Sequence, residues 1–84
     1  MTRVVNKYHE NYDVYIGRGS KWGNPFVIGT DGSRSDVISK YEKWIHTQTY
    51  LLDSLNELRD KTLGCFCKPH ACHGDVLVRL LNEK

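Results

Sequence analysis

Cysteine, proline and net charge are all scarce in this 84-residue chain, which has three Cys, two Pro and a formal charge of only +2. Each shortage excludes something. No apolar run approaches the ~20 residues that a membrane helix needs, so no membrane partner is expected. The opening Met1-Thr2-Arg3-Val4-Val5-Asn6 lacks the apolar core of a signal peptide, and an odd, tightly clustered set of cysteines is a poor disulfide framework. The expectation is a reduced, cytoplasmic protein. A near-balanced charge does not announce a strongly basic nucleic-acid surface, although Arg3, Lys7, Arg18 and Lys21 gather toward the front of the chain.

What is present is the composition of an ordinary globular domain, 39% hydrophobic and 26% charged. Residues 1–84 make one domain, small enough to bury only about three-fifths of its unfolded surface. A metal or a partner would add stability.

All three cysteines and two of the four histidines fall within Leu63-Gly64-Cys65-Phe66-Cys67-Lys68-Pro69-His70-Ala71-Cys72-His73-Gly74-Asp75. The stretch reads as a strand from Thr62 to Cys67, a break at Pro69, and a helix opening near Gly74 that runs through Val76, Leu77, Leu80 and Leu81. Strand alternation turns Cys65 and Cys67 to one face. Cys72 and His73 arrive at the mouth of the helix, where unpaired N–H groups favour anions.

Three chemistries suit that cluster. Cys65, Cys67 and Cys72 with His70 or His73 are the donor types of a tetrahedral zinc site, although all of them lie within nine residues. A thiol activated by the helix mouth or by a neighbouring His is the second. The third is structural, with the cysteines as small core residues and Cys72-His73-Gly74-Asp75 shaping a helix start that binds a polar or anionic ligand.

Earlier in the chain, Val4-Val5 and Val14-Tyr15-Ile16 suggest two short strands, and His9 lies in the polar segment between them, expected to face solvent. The second strand leads into Gly17-Arg18-Gly19-Ser20-Lys21-Trp22-Gly23-Asn24-Pro25-Phe26. This is neither a Walker A loop nor GxGxxG. It reads as an anion-binding loop, in which Arg18, Ser20, Lys21 and Asn24 are donors for phosphate oxygens and the glycines allow close backbone approach. The competing reading is a surface loop pinned to the core by Trp22 and Phe26.

Val27-Ile28-Gly29 is a candidate strand extension, and Thr30 to Ser33 a turn. A helix follows, capped by Ser35, with Val37, Ile38, Tyr41, Trp44 and Ile45 on its core face. Leu51, Leu52, Leu55 and Leu58 mark another. The fold class is therefore α/β, in the order β-β-α-α-β-α, with a short, mostly parallel sheet and helices packed on it. Parallel strands end at a common edge, so the Gly17–Phe26 loop and the Cys67–Asp75 turn should meet there around one ligand.

YIGRGSKWGNPF and GCFCKPHACHGDVLVRLL resemble the motifs of a small phage and bacterial family, domain of unknown function 4326. Val4 to Lys7 resembles that family's opening as well. The resemblance covers nearly the whole chain and implies a shared fold and site, a phage source, and no particular reaction.

The leading expectation is a binder of a nucleotide or another phosphorylated small molecule. Arg18 and Lys21 would neutralise charge, backbone N–H groups at Gly19, Ser20 and Gly74 would cradle oxygens, Trp22 would stack on a base, and Asn24 would orient it. Turnover is left open, with His73 and Asp75 as acid/base candidates for hydrolysis or group transfer. The alternative is a non-catalytic module stapled by Zn2+ on Cys65, Cys67, Cys72 and His70, gripping nucleic acid or a host protein.

Overall fold

The computed structural model describes residues 2–66 and 70–83. Three strands, β1 (Arg3–Asn6), β2 (Val14–Tyr15) and β3 (Thr62–Cys65), form a parallel sheet in the order β1-β3-β2. Three helices, α1 (Arg34–Ile45), α2 (Thr49–Ser54) and α3 (Gly74–Asn82), complete an α/β domain. Among the described residues no helix is long and apolar enough to cross a membrane.

The last strand in sequence is the central one. Val5 and Tyr15 both pair with Gly64, and Asn6 pairs with Cys65. Alternation then gives β3 two different faces. Leu63 and Cys65 enter the main core with Ile16, Tyr41, Ile45, Leu55 and Leu77. Gly64 lies on the other face, where a Cβ would come within 2.6 Å of the Tyr12 ring, so only glycine lets that ring lie on the sheet.

Capping and periodicity explain the helices. Ser33, not Ser35, caps α1: its Oγ accepts the Asp36 N–H while the Asp36 carboxylate accepts the Ser33 N–H at 2.9 Å, a reciprocal capping box. Those bonds hold the Asp36 carboxyl below its usual pKa. Val37, Tyr41 and Ile45 recur every fourth residue and are buried, whereas Ile38 and Trp44 are half-buried beside them.

The leucine-rich segment does not form one α-helix. Ser54 Oγ donates back to the Tyr50 carbonyl at 2.8 Å, and the chain tightens into a 3-10 turn over Leu55–Leu58. With three residues per turn, Leu55 and Leu58 eclipse and both enter the core. Val27-Ile28-Gly29 forms no strand; Asp31 donates its N–H to the Val27 carbonyl, closing a turn that leaves Val27 and Ile28 exposed. β3 ends at Cys65, with Phe66 already a bend, and Cys67 lies outside the described residues.

Candidate functional site

Because all three strands run the same way, Asn6, Tyr15 and Cys65 finish at one edge of the sheet. The chain leaving β2 continues the ladder through Ile16, whose N–H donates to the Gly64 carbonyl at 3.0 Å. Its carbonyl receives His73 Nε2 at 2.7 Å. A side chain from the last helix mouth is thereby bonded to the exit of the second strand, and the glycine-rich loop and the Cys/His turn line one cleft of about 230 Å3.

The cleft floor is formed by Cys65, Cys72 and His73, all buried. Phe26, Ile28, Val37, Ile38 and Phe66 supply apolar walls, and Arg18 and Arg34 bring positive charge to the lining. Arg34 Nη1 donates to the Ala71 carbonyl at 3.3 Å, tying the start of α1 to the Cys/His turn. Arg18 donates through Nη1 to the Asn24 carbonyl and through Nη2 to the Phe26 carbonyl, at 3.2 and 3.3 Å. Both guanidiniums retain donors for an incoming anion, since each has five N–H groups.

Proton placement on the floor follows from the bonds. A carbonyl only accepts, so the neutral His73 ring carries its proton on Nε2 and presents bare Nδ1 to Cys72 Sγ, 3.5 Å away. Burial pushes the His73 pKa down; the Ile16 carbonyl opposes this, Arg18 adds to it, and Asp75 opposes it. The ring is thus a neutral base facing a thiol. The Gly74 N–H, first of α3, donates to the same sulfur at 3.4 Å. Cys72 Sγ also donates to Cys65 Sγ, 3.0 Å away on the same floor.

Several expected roles change. Trp22 is 2% exposed and its carbonyl accepts the Tyr41 hydroxyl at 2.8 Å, so it packs in the core and has no face to offer a base. Lys21 pairs with Glu57 at 2.8 Å and sits over the Trp22 and Tyr50 rings, away from the cleft lining. That carboxylate raises its pKa.

Ser20 turns both its N–H and its hydroxyl onto the Gly17 carbonyl, and Gly19, at φ +90°, makes the turn that requires it. These groups close the loop on itself. Asn24 spends its side chain on backbone too, donating to Val37 O at 3.1 Å and accepting the Phe26 N–H at 2.9 Å; it fastens the loop to α1 while lining the cleft. Gly74 is buried with its N–H on sulfur, not open to a ligand. The Asp75 carboxylate accepts the Cys72 N–H at 3.1 Å, holding the Cys72 backbone from outside the cleft lining.

For the zinc set, Cys65 and Cys72 adjoin, His70 is exposed, and Cys67 lies outside the described residues. Among the described residues there is no group of three or more His, Cys, Asp or Glu side chains arranged to hold a metal ion.

Arg34 was not legible as a site residue from its neighbours in the chain. One signal existed: a cation in the first turn of a helix opposes the helix dipole and invites an anion beside it.

The chain is similar to a family of unknown function and to two viral proteins. Residues 2–83 match the family described as domain of unknown function DUF4326. An uncharacterised 12.4 kDa protein from the nrdA-td intergenic region of Enterobacteria phage T4 is 41% identical over 88 residues, spanning 99% of this chain and 80% of that one. Uncharacterised protein R718 of Acanthamoeba polyphaga mimivirus is 39% identical over 96 residues, spanning 93% of this chain and 73% of its own. No solved structure matches.

Proposed function

The chain belongs to the DUF4326 family, a membership that brings no reaction with it, and from the cleft itself we propose that the protein binds a nucleotide or a closely related phosphorylated ligand. The observation that carries this reading is the pairing of two arginines, Arg18 and Arg34, with apolar walls that include Phe26 and Phe66, over a floor holding a proton acceptor and a thiol. Guanidiniums suit phosphate, aromatic rings suit a planar base, and a buried polar floor fixes orientation. The cleft is smaller than the roughly 300–1,000 Å3 typical of drug-sized ligands, so one base with its sugar fills it.

If the ligand is turned over, His73 is the group placed to move a proton and Cys72 the nucleophile beside it, in hydrolysis or group transfer. Asp75 acts in this scheme by holding the Cys72 backbone. Part of the proposal is a cytoplasmic setting, that of the infected cell where the gene is viral; it rests on the cysteine pattern and the viral relatives.

Calorimetric titration with nucleoside monophosphates tests the reading. Saturable binding is expected, weakened about tenfold or more in Arg34→Ala, whose charge the cleft needs and the core does not. Absence of heat and of thermal protection at millimolar nucleotide would overturn it.

One observation keeps the second reading in play, namely the 3.0 Å approach of the Cys65 and Cys72 sulfurs, the donor type that binds zinc. About one zinc per purified chain would support it; metal-free folded protein would remove it.

A further inference from the structure

Phe66 belongs to two surfaces at once. It lines the cleft, yet its side chain is 47% exposed and leads outward to Tyr8, which is 72% exposed and lies 5.4 Å away ring to ring. Tyr15 meets Phe66 edge-on at 6.1 Å. The Lys7 ammonium lies 4.8 Å from the Phe66 and Tyr15 ring centres and 5.5 Å from that of Tyr8. A shallow hollow lined by Arg3, Lys7, Tyr8, His9, Glu10 and Asn11 adjoins these rings.

We propose that the nucleotide the cleft receives is one unit of a single-stranded nucleic acid, its neighbour stacking on Phe66 and Tyr8 while Lys7, Arg18 and Arg34 meet the intervening phosphates. The proposal rests on the reading of the cleft as a nucleotide site and extends it along the surface. Successive π-faces interleaved with cations are what a strand of bases and phosphates complements. A cleft that holds a single nucleotide leaves any flanking unit to lie outside, and the aromatic rim is at its exit.

Charge on this surface favours a polyanion over an acidic or apolar peptide. The carboxylate that lines the hollow, Glu10, is paired with Arg3 at 3.4 Å. The Phe66 ring is tilted 48° to Tyr8 and stands edge-on to Tyr15, with the Lys7 ammonium among all three, so π-faces and a cation alternate along the rim as bases and phosphates alternate along a strand.

Fluorescence anisotropy with labelled oligonucleotides, in DNA and RNA arms, tests this on the full chain alongside a mononucleotide competitor. Affinity is expected to rise about tenfold or more between one and four nucleotides, with a salt slope near −2, from about 0.7 per phosphate over three contacts. Tyr8→Ala should remove most of the length-dependent gain while leaving the mononucleotide constant unchanged, because Tyr8 does not line the cleft. Lys7→Gln should flatten the salt slope by about 0.7.

Mononucleotide binding with no gain from length overturns this inference and leaves the cleft reading standing. Binding of neither overturns both. Oligonucleotide binding that Tyr8→Ala and Lys7→Gln leave unaltered also overturns it, since the strand then follows another surface.

Discussion

At the scale of single residues, the chemistry of the cleft turns on which nitrogen of His73 holds the proton. The Ile16 carbonyl fixes it on Nε2, so Nδ1 faces the Cys72 thiol as an acceptor, and burial keeps the ring neutral. A histidine whose folded pKa is depressed below its unfolded value, about 6.5, is protonated more readily in the unfolded chain. Its contribution to stability is therefore full above that value and is lost as pH falls from there through the folded pKa. Urea unfolding of wild type and His73→Gln between pH 8 and 5 should show it: wild type loses midpoint steeply below about pH 6.5, and the variant, which keeps a side-chain donor for Ile16, loses less. Parallel curves would mean that His73 binds its proton equally well in the folded and unfolded chain. The Cys72-His73 pair was visible in the sequence because reactive side chains cluster there. Arg34 was not, because an arginine beside a polar turn looks the same whether it faces solvent or a cleft, and for Trp22 the sequence left two readings open, a base platform or a pin to the core, of which burial selects the second.

At the scale of elements, the sequence carried the order of strands and helices but not their ends. Periodicity located α1 and α3, whose buried residues follow the helical repeat, and a strand-crossover-strand pattern implied the parallel sheet. Ends depend on which of several competing polar groups reaches the backbone. Ser33 and Ser35 both precede the apolar repeat; Ser33 has Asp36 three residues on to close the capping box, and that spacing decides between them. Ser33→Ala is expected to lower stability by about 1 kcal/mol, and Ser35→Ala by a few tenths at most, read from urea midpoints at constant slope. Equal effects would mean that the cap has shifted by two residues. The 3-10 turn at Leu55–Leu58 escaped notice for a related reason: leucines three apart fit an α-helix and a 3-10 turn equally well, and the deciding bond comes from Ser54.

At the scale of the whole molecule, 84 residues are too few to keep core and cleft apart. Cys65 and Cys72 belong to the core cluster and to the cleft floor, and α3 rests on the sheet at Gly74, next to His73. A Cβ at Gly74 would come within 2.7 Å of Ile16 Cδ1 and 2.8 Å of Val4 Cγ2. Ile16 is fully buried and cannot retreat, and its carbonyl is the one that positions His73. Gly74→Ala should therefore lower stability by about 1–3 kcal/mol through overpacking, against a gain of at most about 1 from helix propensity. It should also weaken nucleotide binding, because the displacement passes into the floor. Gly64→Ala makes an equally close approach, 2.6 Å to the Tyr12 ring, but that ring is 40% exposed and can swing outward on the far face of the sheet. Its effect on stability should be the smaller, and nucleotide affinity should hold. Measuring urea midpoint and nucleotide affinity on both variants separates the two. Loss of affinity at Gly64→Ala with none at Gly74→Ala would place the ligand on the Tyr12 face, opposite the floor formed by Cys72 and His73.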